Sequence, residues 1–449
     1  MNKYRNNRNF CYGRELILPE SPPLFWAVSP FKINEKSLGF GNPQWECRPF
    51  FMLEDKEVTV VVNEVKKEFL NHVIPFWEKL IDENNEGYYG LLDYDLKLDK
   101  TAEKGCILNS RILWFFANAY LTFGDESYLR YADHAYAFLV KSCLDKENEG
   151  VFWSLNYDGT VCDSTKHTYN QAFAIYALSS YYDAVKNEEA MELALSLYHL
   201  IESRCRDKIG YLEAFTKDFR PVSNEKLSEN GVDAARTMNT LLHVFEAYTE
   251  LYRVSGREQV ADSMRFILDV FADKMYNAEF GRLEVFFDDA YHSLADVYSY
   301  GHDIETAWLI DRGLEVLGDK QYTDKLEKIT ARLTAQVYKE AFDGCSLPVE
   351  SCNGVVDETR VWWVQAEAMV GFYNGYQKNP EKIEYIKTVR ALWEYIKNHI
   401  IDKREGSEWF WEVDGNGNPT NPKPIVEPWK CPYHSGRMCF ELLRRKADV

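Results

Sequence analysis

The sequence predicts an all-α protein, an (α/α)6 barrel of twelve helices with short β-hairpins or loops at one mouth. Three observations lead there. A glycine followed by strand-like alternation recurs six times, amphipathic helical stretches lie between successive glycines, and the helix after each hairpin opens with polar or aromatic residues at matching steps.

The glycines set the period. The pattern reads GYYGLLDYD at Gly87, GVFWSLNYDG at Gly150, GYLEAFTKD at Gly210 and GRLEVFFDD at Gly281, then GCSLPVES at Gly344 and GSEWFWEVDG at Gly406. The intervals are 63, 60, 71, 63 and 62 residues, and six such units fill the chain. Self-similarity at a fixed period marks a repeat architecture.

The helices come in pairs, with apolar residues at three- and four-residue spacing. Residues 107–122 and 126–143 form one pair, 236–254 and 257–275 another, and 360–376 and 380–399 a third. The first unit supplies a single helix near 62–82, which the final stretch 434–446 can join. Twelve helices closed into a ring need no terminal capping repeat, which an open solenoid would require. The barrel is assigned to residues 58–449. Residues 1–57, rich in Asn, Pro and Gly and without helical period, are expected to be an irregular N-terminal extension, with Met52 a natural start for the repeats.

Composition narrows the function classes. The chain is 46% hydrophobic and 27% charged with a net charge of −19, and it has no basic stripe for phosphates. Nucleic acid and anionic membrane are therefore poor partners. No apolar run approaches the roughly 18 residues of a membrane span, and MNKYRNNRNF lacks the apolar core of a signal peptide. A cytoplasmic location is expected. The 10 cysteines form no C-x-x-C pair and read as reduced thiols. Phosphate-loop and G-x-S-x-G motifs are absent from the sequence. Aromatic residues make up 15% of the chain; most pack helix on helix, and a minority is expected to line a pocket that takes the flat C–H faces of a sugar.

The helix openings carry the chemistry. They are NSRILWFF with Arg111, KHTYNQAF with Tyr169, RTMNTLLH with Asn239 and His243, GHDIETAW with His302 and Glu305, TRVWWVQAE with Trp363, and PWKCPYHSGR with Trp429 and His434. From Arg111 the steps to Tyr169, Asn239, His302, Trp363 and His434 are 58, 70, 63, 61 and 71 residues, which match the repeat. Equivalent positions in a ring of inner helices meet around one mouth, where six helix N-termini add partial positive charge and free N–H groups. That field favours an anion and keeps imidazoles neutral, ready to act as bases. A lone inner-helix histidine is ordinarily a hydrogen-bonded core residue, a lone arginine a salt-bridge partner and a lone tryptophan packing. Three histidines from three units at corresponding positions point instead to a proton-transfer site. A three-histidine metal site is the weaker alternative, because no helix has the H-x-x-x-H spacing that pins two ligands. His72, His134, His199, His292 and His399 lack this convergence and are assigned to surface or core; His167, beside Tyr169, is the exception.

Inverting a carbon next to an aldehyde suits this set. The C2 proton leaves one face and a proton returns to the other, which calls for two acid–base groups with pKa near working pH. The enediolate oxygen between the steps needs fixed donors or positive charge, from Arg111, a third histidine and the helix termini. No metal or other cofactor is required.

At these residues the sequence resembles the cellobiose 2-epimerases of the N-acylglucosamine 2-epimerase family. The carrying segments are SRILWFF, KHTYNQAFAIYALSSYY, TMN-x-x-LH-x-x-EAYTELY, YSYGHDIE, TRVWWVQAE and PWKCPYHSGRMC, and the similarity runs from about residue 60 to the C-terminus. The resemblance implies an (α/α)6 barrel that converts the reducing-end glucose of β-1,4-linked disaccharides into mannose without a cofactor. It implies that His302 and His434 are the paired acid–base residues on opposite faces of C2. It makes His243 the assistant in ring opening and carbonyl polarisation, and Arg111 the holder of the sugar oxygens. Tyr169, Asn239, Glu305, Trp363 and Trp429 take substrate-binding positions, with the two tryptophans as stacking platforms. The expected partner is a small disaccharide, with the chain a monomer or weak homodimer. The alternatives are an N-acylglucosamine 2-epimerase or mannose isomerase of the same superfamily, a glycoside hydrolase using Glu305 and Asp233, and a non-catalytic sugar-binding barrel.

Overall fold

The computed structural model describes residues 51–447 apart from 225, 227–230 and 421. Twelve helices run through it. Helix α1 spans 51–78, from Phe51–Glu68 through one π-helical turn, Phe69–Val73, into Ile74–Glu78. Then come α2 (Cys106–Phe123), α3 (127–143), α4 (Thr168–Val185), α5 (188–205), α6 (Met238–Ser255) and α7 (258–275). The last five are α8 (Tyr300–Leu317), α9 (Lys320–Ala341), α10 (Trp362–Lys378), α11 (383–400) and α12 (Tyr433–Ala447). The expected extension at 1–50 lies outside the described residues. Its expected boundary at 57 moves, because α1 already starts at Phe51.

The even-numbered helices form the inner ring: each packs on the next, and α12 returns to α2 to close it. Each odd-numbered helix backs an inner one, with α1 behind α12 as the pairing of first and last units requires. The division is written in the sequence. Helix α2, CILNSRILWFFANAYLTF, is apolar on nearly every side and is buried from Cys106 through Ala119. Outer helix α7 buries one stripe, Val260, Ala261, Met264, Ile267 and Leu268, and leaves the opposite face to solvent. Tight turns join inner to outer helices where Gly124, Gly256 and Gly318 adopt left-handed backbone, with φ of 71°, 62° and 64°.

Short strands lace the units together at the mouth. The residues just before each inner helix pair antiparallel with the next unit's hairpin: 104–105 with 154–155, 166–167 with 214–215, 236–237 with 286–287, 297–299 with 350–352, and 360–361 with 412–413. A bridge between Leu92 and Val426 joins the sixth unit to the first.

An ion pair with a buried base fixes most of these junctions. Lys104 meets Asp82 at 2.8 Å, Lys166 meets Asp145 at 3.1 Å, Arg236 meets Asp207 at 2.5 Å and Arg360 meets Asp343 at 2.8 Å. In each case the base stands two residues before the inner helix, and the aspartate also accepts backbone N–H bonds from its own turn. The fourth unit has Tyr298 and Asn277 at these places, and Asn277 still accepts from the turn at 3.1 Å. Losing both charges together avoids a buried charge without a partner. No helix among the described residues is long and apolar enough to cross a membrane.

Candidate active site

Polar residues enter the mouth at two depths. At the second residue of an inner helix stand Tyr169 (α4), Asn239 (α6), Trp363 (α10) and His434 (α12), and His302 is third in α8. One turn deeper, the sixth residue is Arg111 in α2, His243 in α6, Glu305 in α8 and Glu367 in α10. The repeat thus converts one helix position per unit into a ring of side chains.

Each of the three histidines is tethered through Nδ1. His243 Nδ1 lies 2.9 Å from Glu246 Oε2, His302 Nδ1 lies 2.8 Å from Ser299 Oγ, and His434 Nδ1 lies 2.7 Å from Glu367 Oε1. A partner behind one ring nitrogen fixes the orientation of the ring and favours one tautomer. The Trp363 ring touches two of them, with centroids 4.7 Å from His302 and 5.4 Å from His434.

Arg437 ties the tethers together. It donates to Glu246 Oε1 at 2.6 Å, meets Glu367 Oε1 at 2.7 Å, and also bonds Glu305 and the Tyr433 hydroxyl. Trp308 Nε1 donates to the other Glu367 oxygen at 3.1 Å. Glu305, Glu367 and His434 present ligand atoms within 4.8 Å of one another, a spacing that fits a cation. The guanidinium of Arg437 already supplies positive charge to both of those carboxylates.

The surroundings keep the two mouth histidines neutral. Burial pushes His302 down to about 4, partly offset by Glu305. Burial, followed by Arg437 and Arg111, holds His434 well below its ordinary range. Burial would raise Glu246, but Arg437, His243 and Tyr433 outweigh it and leave it at about 2. Burial raises Glu367, against the pull of Arg437. Burial thus disfavours charge on both members of the His434–Glu367 pair.

Arg111 lies across the mouth, 2% exposed, and donates to the Tyr169 hydroxyl at 2.9 Å. Its guanidinium stacks 4.1 Å from the Phe173 centroid and 4.7 Å from that of Tyr433. Half-buried Trp429 stands 5.9 Å from the Tyr169 ring and 5.8 Å from Trp153. Arg111 Nε, Asn239 Oδ1 and Glu305 Oε2 are enclosed without a hydrogen-bond partner. Enclosed polar atoms of this kind are rare in folded proteins and suit a polar ligand.

The other candidates separate cleanly. Asp233 is exposed on its loop and accepts from Ser223 Oγ at 2.8 Å and the Asn224 N–H at 3.1 Å. Glu305 is fully buried beneath Arg437, so these two acids do not form the opposed pair a hydrolase needs. His167 is buried against Trp153, with Nδ1 unpartnered, and burial lowers it to about 3. His72 and His134 bond backbone carbonyls, each at 2.9 Å, away from the convergence.

Sequence reasoning passed over Glu246, Ser299, Glu367, Tyr433 and Arg437. Three of them carry a helical signal: Glu246 and Arg437 lie three residues after His243 and His434, and Glu367 repeats the helix position of His243 and Glu305. Ser299, three residues before His302, sits at the N-cap, where a serine is ordinary.

Comparison with known proteins places this chain in a family. The model of the N-acylglucosamine 2-epimerase (GlcNAc 2-epimerase) family matches residues 87–435. A cellobiose 2-epimerase of Ruminococcus albus is 47% identical over 390 residues, covering 87% of this chain and all of that protein. The crystal structure of a sugar epimerase from a ruminal bacterium superimposes with a TM-score of 0.85 at 47% identity, over 86% of this chain and 100% of that one. The cellobiose 2-epimerase of Bacillus thermoamylovorans B4167 gives a TM-score of 0.83 at 45% identity, with the same coverage. The chain belongs to the N-acylglucosamine 2-epimerase family, on its cellobiose 2-epimerase branch.

Proposed function

We propose that this isomerase epimerises C2 of the reducing-end glucose of β-1,4-linked disaccharides, by proton transfer between histidines. One observation carries the reading: three imidazoles from three units converge on one mouth, each held at Nδ1.

The open-chain aldehyde lies along Trp363 between His302 and His434. One imidazole takes the C2 proton at Nε2; the C–H electrons become the C1–C2 double bond, and negative charge moves to the C1 oxygen. Arg111 and His243 stabilise that oxygen, where fixed charge and donors in a dry site are worth most. The opposite imidazole then returns a proton to the other face of C2, and the carbonyl re-forms.

A neutral imidazole can act as the acid if its partner restores the proton. Glu367, raised by burial, supplies one to His434 Nδ1 as Nε2 gives its own to carbon. The same atoms run in reverse when His434 is the base. Asn239, Tyr169 and Glu305 hold the hydroxyls, and Trp429 stacks the second sugar ring.

Incubation with cellobiose tests this reading. A disaccharide of unchanged mass with mannose at its reducing end is expected; free monosaccharides would contradict it. His302→Ala and His434→Ala should each abolish turnover while substrate still binds, and normal turnover in either would overturn the acid–base assignment.

A further inference from the structure

The three tethers are unequal. His243 and His434 have the carboxyl groups of Glu246 and Glu367 behind Nδ1, whereas His302 has the hydroxyl of Ser299 at 2.8 Å. Ser299 is 4% exposed, and its backbone is fixed in the strand 297–299 by pairing with Glu350. It caps α8 with extended backbone at φ −87°, yet its side chain makes no capping bond to the helix. A serine at an N-cap ordinarily spends its oxygen on a helix N–H. Here the oxygen goes to the imidazole instead.

Gly301, just before the histidine, has a matching task. A Cβ on Gly301 would come within 2.6 Å of two Trp363 ring carbons and 2.8 Å of the Val364 side chain. Only glycine lets the indole close on the first turn of α8 and reach 4.7 Å from the His302 ring. The segment Ser299–Tyr300–Gly301–His302 thus fixes the imidazole on two sides, by a hydroxyl at Nδ1 and by an indole beside the ring.

From this geometry we infer that Ser299 is the positioning residue for His302, holding its orientation and tautomer without placing a charge behind it. The inference rests on the proposed proton-transfer reading. A hydroxyl both donates and accepts, so it holds Nδ1 when that nitrogen carries a proton and when it does not. A carboxylate would favour the imidazolium. His302 therefore stays in place both as base and as acid, as a reversible epimerisation demands of one residue. The titratable groups facing it are Glu305 of its own helix, His243 of α6 and His434 of α12.

Ser299→Ala, Ser299→Thr and Ser299→Asp, assayed with cellobiose across pH, test the inference. The alanine variant is expected to lose about tenfold in kcat with KM nearly unchanged, the scale of one lost hydrogen bond. Threonine should recover most of that loss. Aspartate should move the acid limb of the kcat/KM profile to higher pH, because a carboxylate behind Nδ1 stabilises the imidazolium. Wild-type kcat in the alanine variant would overturn the inference. So would an unmoved limb in a folded, active aspartate variant, or equal losses in alanine and threonine variants that track a lowered melting temperature. A wild-type enzyme that leaves cellobiose unchanged would instead contradict the proposed function.

Discussion

His434 Nδ1 sits 2.7 Å from Glu367 Oε1, and the same oxygen takes a bond from Arg437 Nε at 3.2 Å. One carboxyl oxygen therefore links the imidazole to Arg437, whose guanidinium also bonds Glu246 and Glu305. Glu367→Gln keeps the shape but removes the proton store. It is expected to lower kcat by about 10²–10⁴-fold, the range of a lost acid–base contribution, while cellobiose binding by calorimetry changes little. Wild-type kcat in this variant would rule out Glu367 as the source of that proton.

Removing the cation should be a stability event. Arg437→Met leaves Glu246, Glu305 and Glu367 buried without their shared partner. A loss of about 3–5 kcal/mol is expected, as for other broken buried pairs. Denaturant unfolding measures it. The deficit should shrink as pH falls and the carboxylates take up protons.

The pH dependence of activity has a worked sign. His302 is lowered to about 4 in the fold, against about 6.5 for a free histidine. Between those values the unfolded chain binds a proton that the folded chain does not, so stability falls as pH drops through that window. The base itself remains neutral until about pH 4. The acid limb of kcat/KM should therefore lie near 4, below the pH at which melting temperature begins to fall. A limb near 6.5 would show His302 to be more open to water than its burial indicates.

The strand-junction ion pairs make a prediction about coupling. Lys104→Tyr alone strands Asp82, which is fully buried. Adding Asp82→Asn reproduces the pair found naturally as Tyr298 and Asn277. The double variant should be more stable than the single one in thermal unfolding, because two neutral partners leave no charge unpaired. Additive losses would mean that the pair does not act as a unit.

The fold was legible because its signals are periodic. Six hairpin glycines and paired apolar stripes define twelve helices and their order without any long-range information. The start of α1 was not, since residues 51–57 lack the apolar stripe that marked the rest. In the site, Arg111, Tyr169, Asn239, Trp363 and His434 stood out as unusual residues at helix openings. Glu246 and Glu367 did not, because a glutamate in a helix reads as a solvated residue until three-dimensional closure buries it beneath Arg437. Ser299 was hidden for a related reason: a serine before a helix reads as an ordinary N-cap, but its bond goes elsewhere.

The most direct test of the central claim is a proton NMR time course of cellobiose with the enzyme in D2O. The account predicts a new mannose-type reducing end carrying deuterium at C2, with the glycosidic linkage intact. A mannose-type product that retains the original C2 proton throughout, or no change at C2, would contradict proton exchange through His302 and His434.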